Sequence, residues 1–233
     1  MKKIEFIRNE EKKYHDFCYS RYSLFEEGSW LAKPVKSVLD LMTCFEGQNH
    51  VNVLDLGCGV GRNSIPIAEK LKDQSGKVVC VDLLDSAIEK LNHYSCEFGV
   101  EAIIETEKAD IGFYRIPPNE YDFIVAVSSL EHVESEEVLE QVLERIERGT
   151  KPGGLVCLII NTDVQEMDRL THVHMDALME VNLSTESMFT KLHDIFQNWR
   201  VLTELVKPLE YEITRNQRTI LLKTHAITFV AKK

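Results

Sequence analysis

Residues Val53 to Ser64 read VLDLGCGVGRNS, and no other stretch restricts the fold as strongly. Val51, Val53, Leu54 and Leu56 make a short apolar run of the kind buried on both faces of a parallel sheet. The chain then turns through Gly57, Gly59 and Gly61, where the absent Cβ permits positive φ and lets a ligand approach the backbone. Ile65, Ile67, Ala68 and Leu71 follow at helical spacing, with Asn63 or Ser64 as the expected cap. The free amides of that helix start face whatever lies above the turn, which predicts a small-molecule site.

The glycines fall in the pattern D-x-G-x-G-x-G from Asp55 to Gly61. A dinucleotide pyrophosphate on a helix N-terminus calls for G-x-G-x-x-G instead. A second apolar run, Val78 to Val81, ends at Asp82, where a carboxylate accepts hydrogen bonds from a ribose diol. Ribose recognition alone suits a nicotinamide cofactor or S-adenosylmethionine.

Five ordered segments from about Val51 to Asn161 resemble the class I S-adenosylmethionine-dependent methyltransferases. VLDLGCGVG is similar to the family's first motif and VVCVDL to its second. KADI, at Lys108 to Ile111, stands where the family has the acid that meets the adenine amino group. YDFIVAVSSLEHV resembles the fourth strand with its loop, and KPGGLVCLII the turn and fifth strand. The resemblance implies that Gly57, Gly59 and Gly61 pass beneath the methionine part of the cofactor, with Asp55 near its amino group. It further implies that Asp82 holds the ribose and that Asp110 and Ile111 hold the adenine. Cys58 fills a position where sterics demand a small side chain. The expected cofactor-binding set is Trp30, Asp55, Gly57, Cys58, Gly59, Gly61, Asn63, Asp82, Leu83, Asp110, Ile111 and Ser128. The expected fold is α/β and Rossmann-like: a seven-stranded, mostly parallel sheet with the last strand antiparallel, helices on both faces and an N-terminal helical lid.

Alternating patterns after position 50 predict strands at 51–56, 77–82, 101–106, 121–127, 154–160, 200–207 and 217–231. Helices are predicted at 62–72, 85–98, 134–148 and 185–197, with Ser86 and Glu89 as a capping box and Gly99 as a stop. The last two strands lack a helix between them and should pair antiparallel around a loop at Glu210 to Asn216. Nothing divides the chain, so 1–233 reads as one domain with a lid over 1–48, a cofactor core over 49–161 and a substrate side over 162–233. Residues 10–45, rich in Tyr, Phe and Trp, lead into a helix near Pro34. They and the polar connection Thr162 to Leu183 are expected to roof the pocket.

The 233 residues carry a net charge of −11, which would repel a phosphate backbone, so nucleic acid is a poor expectation and a small molecule the better one. The acidic run Glu131 to Glu147 carries apolar residues at helical spacing and reads as a helix with a solvated outer face. Six dispersed cysteines without C-x-x-C, and a start without an apolar leader, predict a reduced, cytoplasmic chain. No apolar run approaches the roughly 18 residues of a membrane span. No metal is expected: His172 and His174 could share a strand face, but no third ligand has suitable spacing.

Methyl transfer from a sulfonium disperses charge, so alignment and exclusion of water dominate and together remove roughly 7 to 11 kcal/mol of barrier in favourable cases. A general base adds on the order of 10² to 10⁴ in rate when the acceptor must lose a proton. His132, after the fourth strand, is the expected base, with Glu131 a weaker one. Ser128-Ser129-Leu130-Glu131 departs from the Asn/Asp-Pro-Pro-Tyr/Phe motif, which counts against adenine-amine and glutamine-amide acceptors. GRNS at Arg62 to Ser64 and Thr224-His225 are similar to the tellurite-resistance methyltransferases. The alternatives are a nicotinamide-dependent oxidoreductase and a non-catalytic S-adenosylmethionine-binding protein.

Overall fold

The computed structural model describes residues 3–215 and 218–233. Eight strands form one sheet: β1 (His50–Leu56), β2 (Ser75–Asp82), β3 (Ile104–Lys108), β4 (Tyr121–Val127), β5 (Thr150–Asp168), β6 (His174–Met175), β7 (Arg200–Arg215) and β8 (Arg218–Lys232). Their order is β3-β2-β1-β4-β5-β8-β7, with β6 paired to β5 off this path. The five strands from β3 to β5 are parallel, whereas β8 runs antiparallel to both neighbours. The mostly parallel sheet with a reversed last strand is therefore present, lengthened by the two-residue β6.

Among the described residues six α-helices accompany the sheet: α1 (Lys3–Arg21), α2 (Lys36–Leu41), α3 (Ser64–Lys70), α4 (Asp85–Glu97), α5 (Glu136–Gly149) and α6 (Thr185–Ile195). Six of the seven β1 residues are buried, because successive side chains feed opposite layers. Val51 and Val53 pack with α2, α3 and α4, while Leu54 and Leu56 join α5 and α6 on the other face. Each such fully buried side chain contributes about 1.5 to 3 kcal/mol of transfer free energy. In α5, Leu139, Val142, Leu143 and Ile146 supply the buried stripe.

Several local expectations are corrected. Asn63 occupies the N-cap of α3 without capping it, since its Oδ1 accepts from Val35 N at 2.9 Å. Ser64 Oγ donates to Asp55 instead, and Ser86 Oγ donates to Asp16 on α1, so no capping box forms at α4. The helix after Pro34 starts at Lys36, β3 begins at Ile104 rather than 101, and Glu131 is buried rather than solvated.

The largest correction is β5, which continues through Asp168 where a polar connection was expected. Thr162, Val164, Glu166 and Asp168 alternate inward, and three of these four are polar, which hides the strand period. Partners on β8 and β7 satisfy two of them: Thr162 Oγ1 donates to His225 O, and Glu166 is paired with Arg215. β7 likewise extends to Arg215, so residues 210–215 of the expected 210–216 loop are strand instead, and its last residue, Asn216, lies outside the described residues. Most of β7 is exposed, and Pro208 interrupts it as befits an edge strand. No helix among the described residues is long and apolar enough to cross a membrane.

Candidate active site

The order β3-β2-β1-β4 reverses direction of build between β1 and β4, and ligands of such sheets bind beyond the carboxyl ends of the strands at that point. The turn after β1 is pinned there by Gly57 N and Cys58 N, which donate to Val81 O at 2.8 and 3.1 Å. Gly57 has φ +76, and a Cβ on it would lie 2.3 Å from Ser129 Cβ, so only glycine fits between β1 and the loop after β4. Gly59 has φ +55, and a Cβ there would meet only Tyr19 Oη, at 3.1 Å. Gly59 is thus the open floor of the turn, and α1 passes above it.

Asp82 ends β2 beside that floor. Its Oδ2 accepts from Gly59 N at 2.8 Å and its Oδ1 from Leu84 N at 2.9 Å. Burial raises its pKa, and backbone bonds from Leu84, Gly59 and Leu83 work against that rise. Each oxygen keeps a further lone pair. Leu83, next to it, is 44 % exposed.

Asp55 is 1 % exposed and accepts from Ser64 Oγ at 2.6 Å. Burial pushes its carboxyl up to about 6, against the Ser64 bond. Cys58 is a buried thiol whose pKa burial raises well above the ordinary value, so it is inert as a nucleophile. Asp110, after β3, accepts from Gly112 N at 2.8 Å and is ion-paired with Arg8 of α1 at 3.0 Å. Ile111 packs partly buried against the α5 layer.

Trp30 stands on the far side of the turn, with the Arg62 guanidinium 5.2 Å from its ring centroid and Arg62 Nη1 donating to its carbonyl. Its ring also meets His15 and Tyr19. Ser128 leaves β4 with φ +50, a strained value for a non-glycine residue. Asp55, the three glycines, Asp82, Leu83, Asp110 and Ser128 therefore share one sheet edge, whereas Asn63 faces α2. Gly61 packs away from the floor, since a Cβ there would strike Leu91.

His132 follows β4 and lines a cavity of about 340 Å³ beneath α1, together with Glu11, Tyr14, Phe17, Asn161 and Tyr211. Its Nδ1 is 3.0 Å from Glu180 Oε2, and its side chain is 28 % exposed. Burial alone would lower its pKa, but the Glu180 bond and the charges of Glu131 and Glu11 win and raise it to about 9. It is therefore protonated at neutral pH. Glu131 Oε1 accepts from Asn161 N and Nδ2, tying the loop to β5. His172 and His174 are exposed near the far end of β5, and no metal-capable cluster occurs among the described residues.

Sequence reasoning missed Arg8, Tyr19 and Glu180. Tyr19 stood within the aromatic segment already singled out, but the Arg8–Asp110 and His132–Glu180 pairs join residues far apart and left no local signal.

Residues 53–154 match a family described as a methyltransferase domain. The sterol 24-C-methyltransferase erg-4 of Neurospora crassa is 28 % identical over 142 residues, covering 60 % of this chain and 36 % of that protein. The tRNA N(3)-cytidine methyltransferase METTL2B of Homo sapiens is 29 % identical over 133 residues, 53 % of this chain and 34 % of the relative. The chain thus matches about a third of the length of these curated relatives. The structure of TehB from Haemophilus influenzae shares the fold, with a TM-score of 0.61 at 22 % identity over 83 % of this chain and 61 % of the other.

Proposed function

We propose that the chain is an S-adenosylmethionine-dependent methyltransferase that moves a methyl group by in-line displacement to a small-molecule acceptor held beneath α1. The observation that carries the reading is the contact between Gly59 N and Asp82 at the switch point of the sheet. It combines a floor without a side chain and a carboxylate with lone pairs to spare.

S-adenosylmethionine supplies a methyl group on a positively charged sulfur. In this reading Gly57 to Gly61 lie under its methionine part, with Asp55 close by. Asp82 accepts from the ribose hydroxyls, and Leu83 with Asp110 and Ile111 borders the adenine. Trp30, Cys58 and Ser128 shape the surrounding walls, while Asn63 braces the turn through Val35. The residues present fit this group, on the condition that Arg8 yields part of Asp110 and that Tyr19 moves from above Gly59. α1 then excludes water, which is the larger share of what such a site must do.

His132 is better suited to holding than to accepting a proton, because its pairing with Glu180 keeps it charged below about 9. It fastens the loop after β4 to the segment leading into α6. Support for a small acceptor comes from the cavity of about 340 Å³ and the net charge of −11, which disfavours a polyanion. Incubation with S-adenosylmethionine and a panel of small amines, thiols, phenols and carboxylic acids tests this, read as S-adenosylhomocysteine released and mass added to the acceptor. Turnover with one class supports the reading. Release of no product from any class, with cofactor bound, favours a non-catalytic binding protein.

A further inference from the structure

The cavity beneath α1 has walls whose charges do not balance. Arg215 is paired with Glu166 at 2.5 Å, Lys13 with Glu10 at 2.6 Å and His132 with Glu180 at 3.0 Å. Arg8, behind this wall, is taken by Asp110 at 3.0 Å. Two carboxylates remain beyond these pairs; burial raises the pKa of each, and the charge of His132 works against that rise. Glu11 lines the cavity and accepts no hydrogen bond among the described residues. Its basic neighbour, His15 Nε2 at 3.8 Å, belongs to a ring that burial and the charge of His132 push down to about 4. His15 is therefore neutral at pH 7 and cannot balance Glu11. Its own Nδ1 is buried without a partner.

Glu131 is the second. It is wholly buried, its Oε1 is bound to Asn161, and its Oε2 has no hydrogen-bond partner. Glu131 stands behind the cavity, whose lining includes its flanking residue His132, its partner Asn161, and Tyr211, on which its charge acts. Unpaired buried carboxylate oxygens are rare unless a ligand or water completes them.

We propose that this cavity is an amine site: a primary or secondary organic amine places its ammonium against Glu11, on the side of Glu131, and lays its apolar body along Phe17. Tyr14 and Tyr211 also line the cavity and supply aromatic rings near the same cation. Carboxylates outnumber cations around the cavity by these two, with the charge of His132 shared among Glu180, Glu131 and Glu11, so an anionic acceptor would add to that excess and a neutral one would leave it in place. The chemistry rests on the methyl-transfer reading, but the binding preference does not. The ammonium gives one proton to the Glu11 carboxylate. The freed nitrogen lone pair then forms the C–N bond as the methyl C–S bond breaks with its electrons on sulfur. The products are an N-methylammonium and S-adenosylhomocysteine, with the proton left on Glu11.

The test uses three probes of one shape, 4-phenylbutylamine, 4-phenylbutanol and 4-phenylbutyrate, titrated calorimetrically into the full chain saturated with S-adenosylhomocysteine. The amine is expected to bind at least about tenfold more tightly than the alcohol and the acid. Glu11→Gln should bring amine and alcohol within about threefold of each other while leaving S-adenosylhomocysteine affinity unchanged. Glu131→Gln, which keeps the bond to Asn161 N, should reduce the amine preference in the same direction. Equal binding of the three probes, preference for the acid, or no binding of any would overturn the amine site, as would an amine preference that survives both variants. If S-adenosylhomocysteine itself fails to bind, the methyl-transfer reading is lost. The same three titrations on the unliganded chain then still decide the amine site.

Discussion

His132 Nδ1 stands 3.0 Å from Glu180 Oε2, and this pair fixes the charge state of a histidine that lines the cavity beneath α1. The imidazole titrates at about 9, against 6.5 for a free ring. A group whose folded pKa is raised contributes stability that is complete below the unfolded value and is lost as pH climbs through the folded one. The pair should therefore stabilise the protein fully below pH 6.5 and fade towards about pH 9. Proton NMR titration of His132 should give a midpoint near 9 in the wild type and a clearly lower one in Glu180→Gln. A His132 midpoint at or below 6.5 in the wild type would remove the charged-pair assignment.

If Asp82 accepts from the ribose hydroxyls as proposed, Asp82→Ala should weaken S-adenosylmethionine binding at least about tenfold, or about 1.4 kcal/mol. Circular dichroism confirms that the variant is folded, and calorimetry reads the affinity. Unchanged affinity would place the ribose elsewhere.

Gly57→Ala and Gly59→Ala should separate packing from binding. A methyl at Gly57 meets Ser129 Cβ at 2.3 Å and keeps a positive φ, so the variant should lose roughly 2 to 4 kcal/mol of stability in urea unfolding. At Gly59 the only neighbour is Tyr19 Oη at 3.1 Å, the far end of a side chain on α1. That variant should lose about 1 to 2 kcal/mol of stability and most of its cofactor affinity. Equal effects of the two on both measurements would contradict the division.

Arg8→Met should loosen α1, since the 3.0 Å pair with Asp110 ties that helix to the end of β3. Both side chains are partly exposed, so the loss in global stability should stay within about 1 kcal/mol. Amide exchange within α1 should nevertheless accelerate, and cofactor association should become faster, as Asp110 is released. Unaltered exchange in α1 would show that the pair does not hold the helix.

The parallel core was legible because each of its elements carries its own local pattern. β1, β2 and β4 are short apolar runs, and the glycine turn and the stripes of α4 and α5 follow simple periods. What escaped was fixed by partners distant in sequence. β5 hides its last turns of alternation behind Thr162, Glu166 and Asp168, whose partners lie on β7, β8 and the adjoining loop. Asn63, Ser64 and Ser86 had the composition of caps, but Val35, Asp55 and Asp16 engage them. Asp82, Asp110 and the glycines lie at one sheet edge, and the engagement of the two carboxylates by Leu84, Gly112 and Arg8 needed three dimensions to see. Glu131 looked like the first charge of a solvated face and is instead a buried clamp on Asn161.

Calorimetric titration of the wild-type chain with S-adenosylmethionine and, separately, with NAD examines the central claim most directly. The account predicts one S-adenosylmethionine per chain, with NAD weaker by at least about a hundredfold. Tighter binding of NAD, or no heat from S-adenosylmethionine with a folded protein, would contradict it.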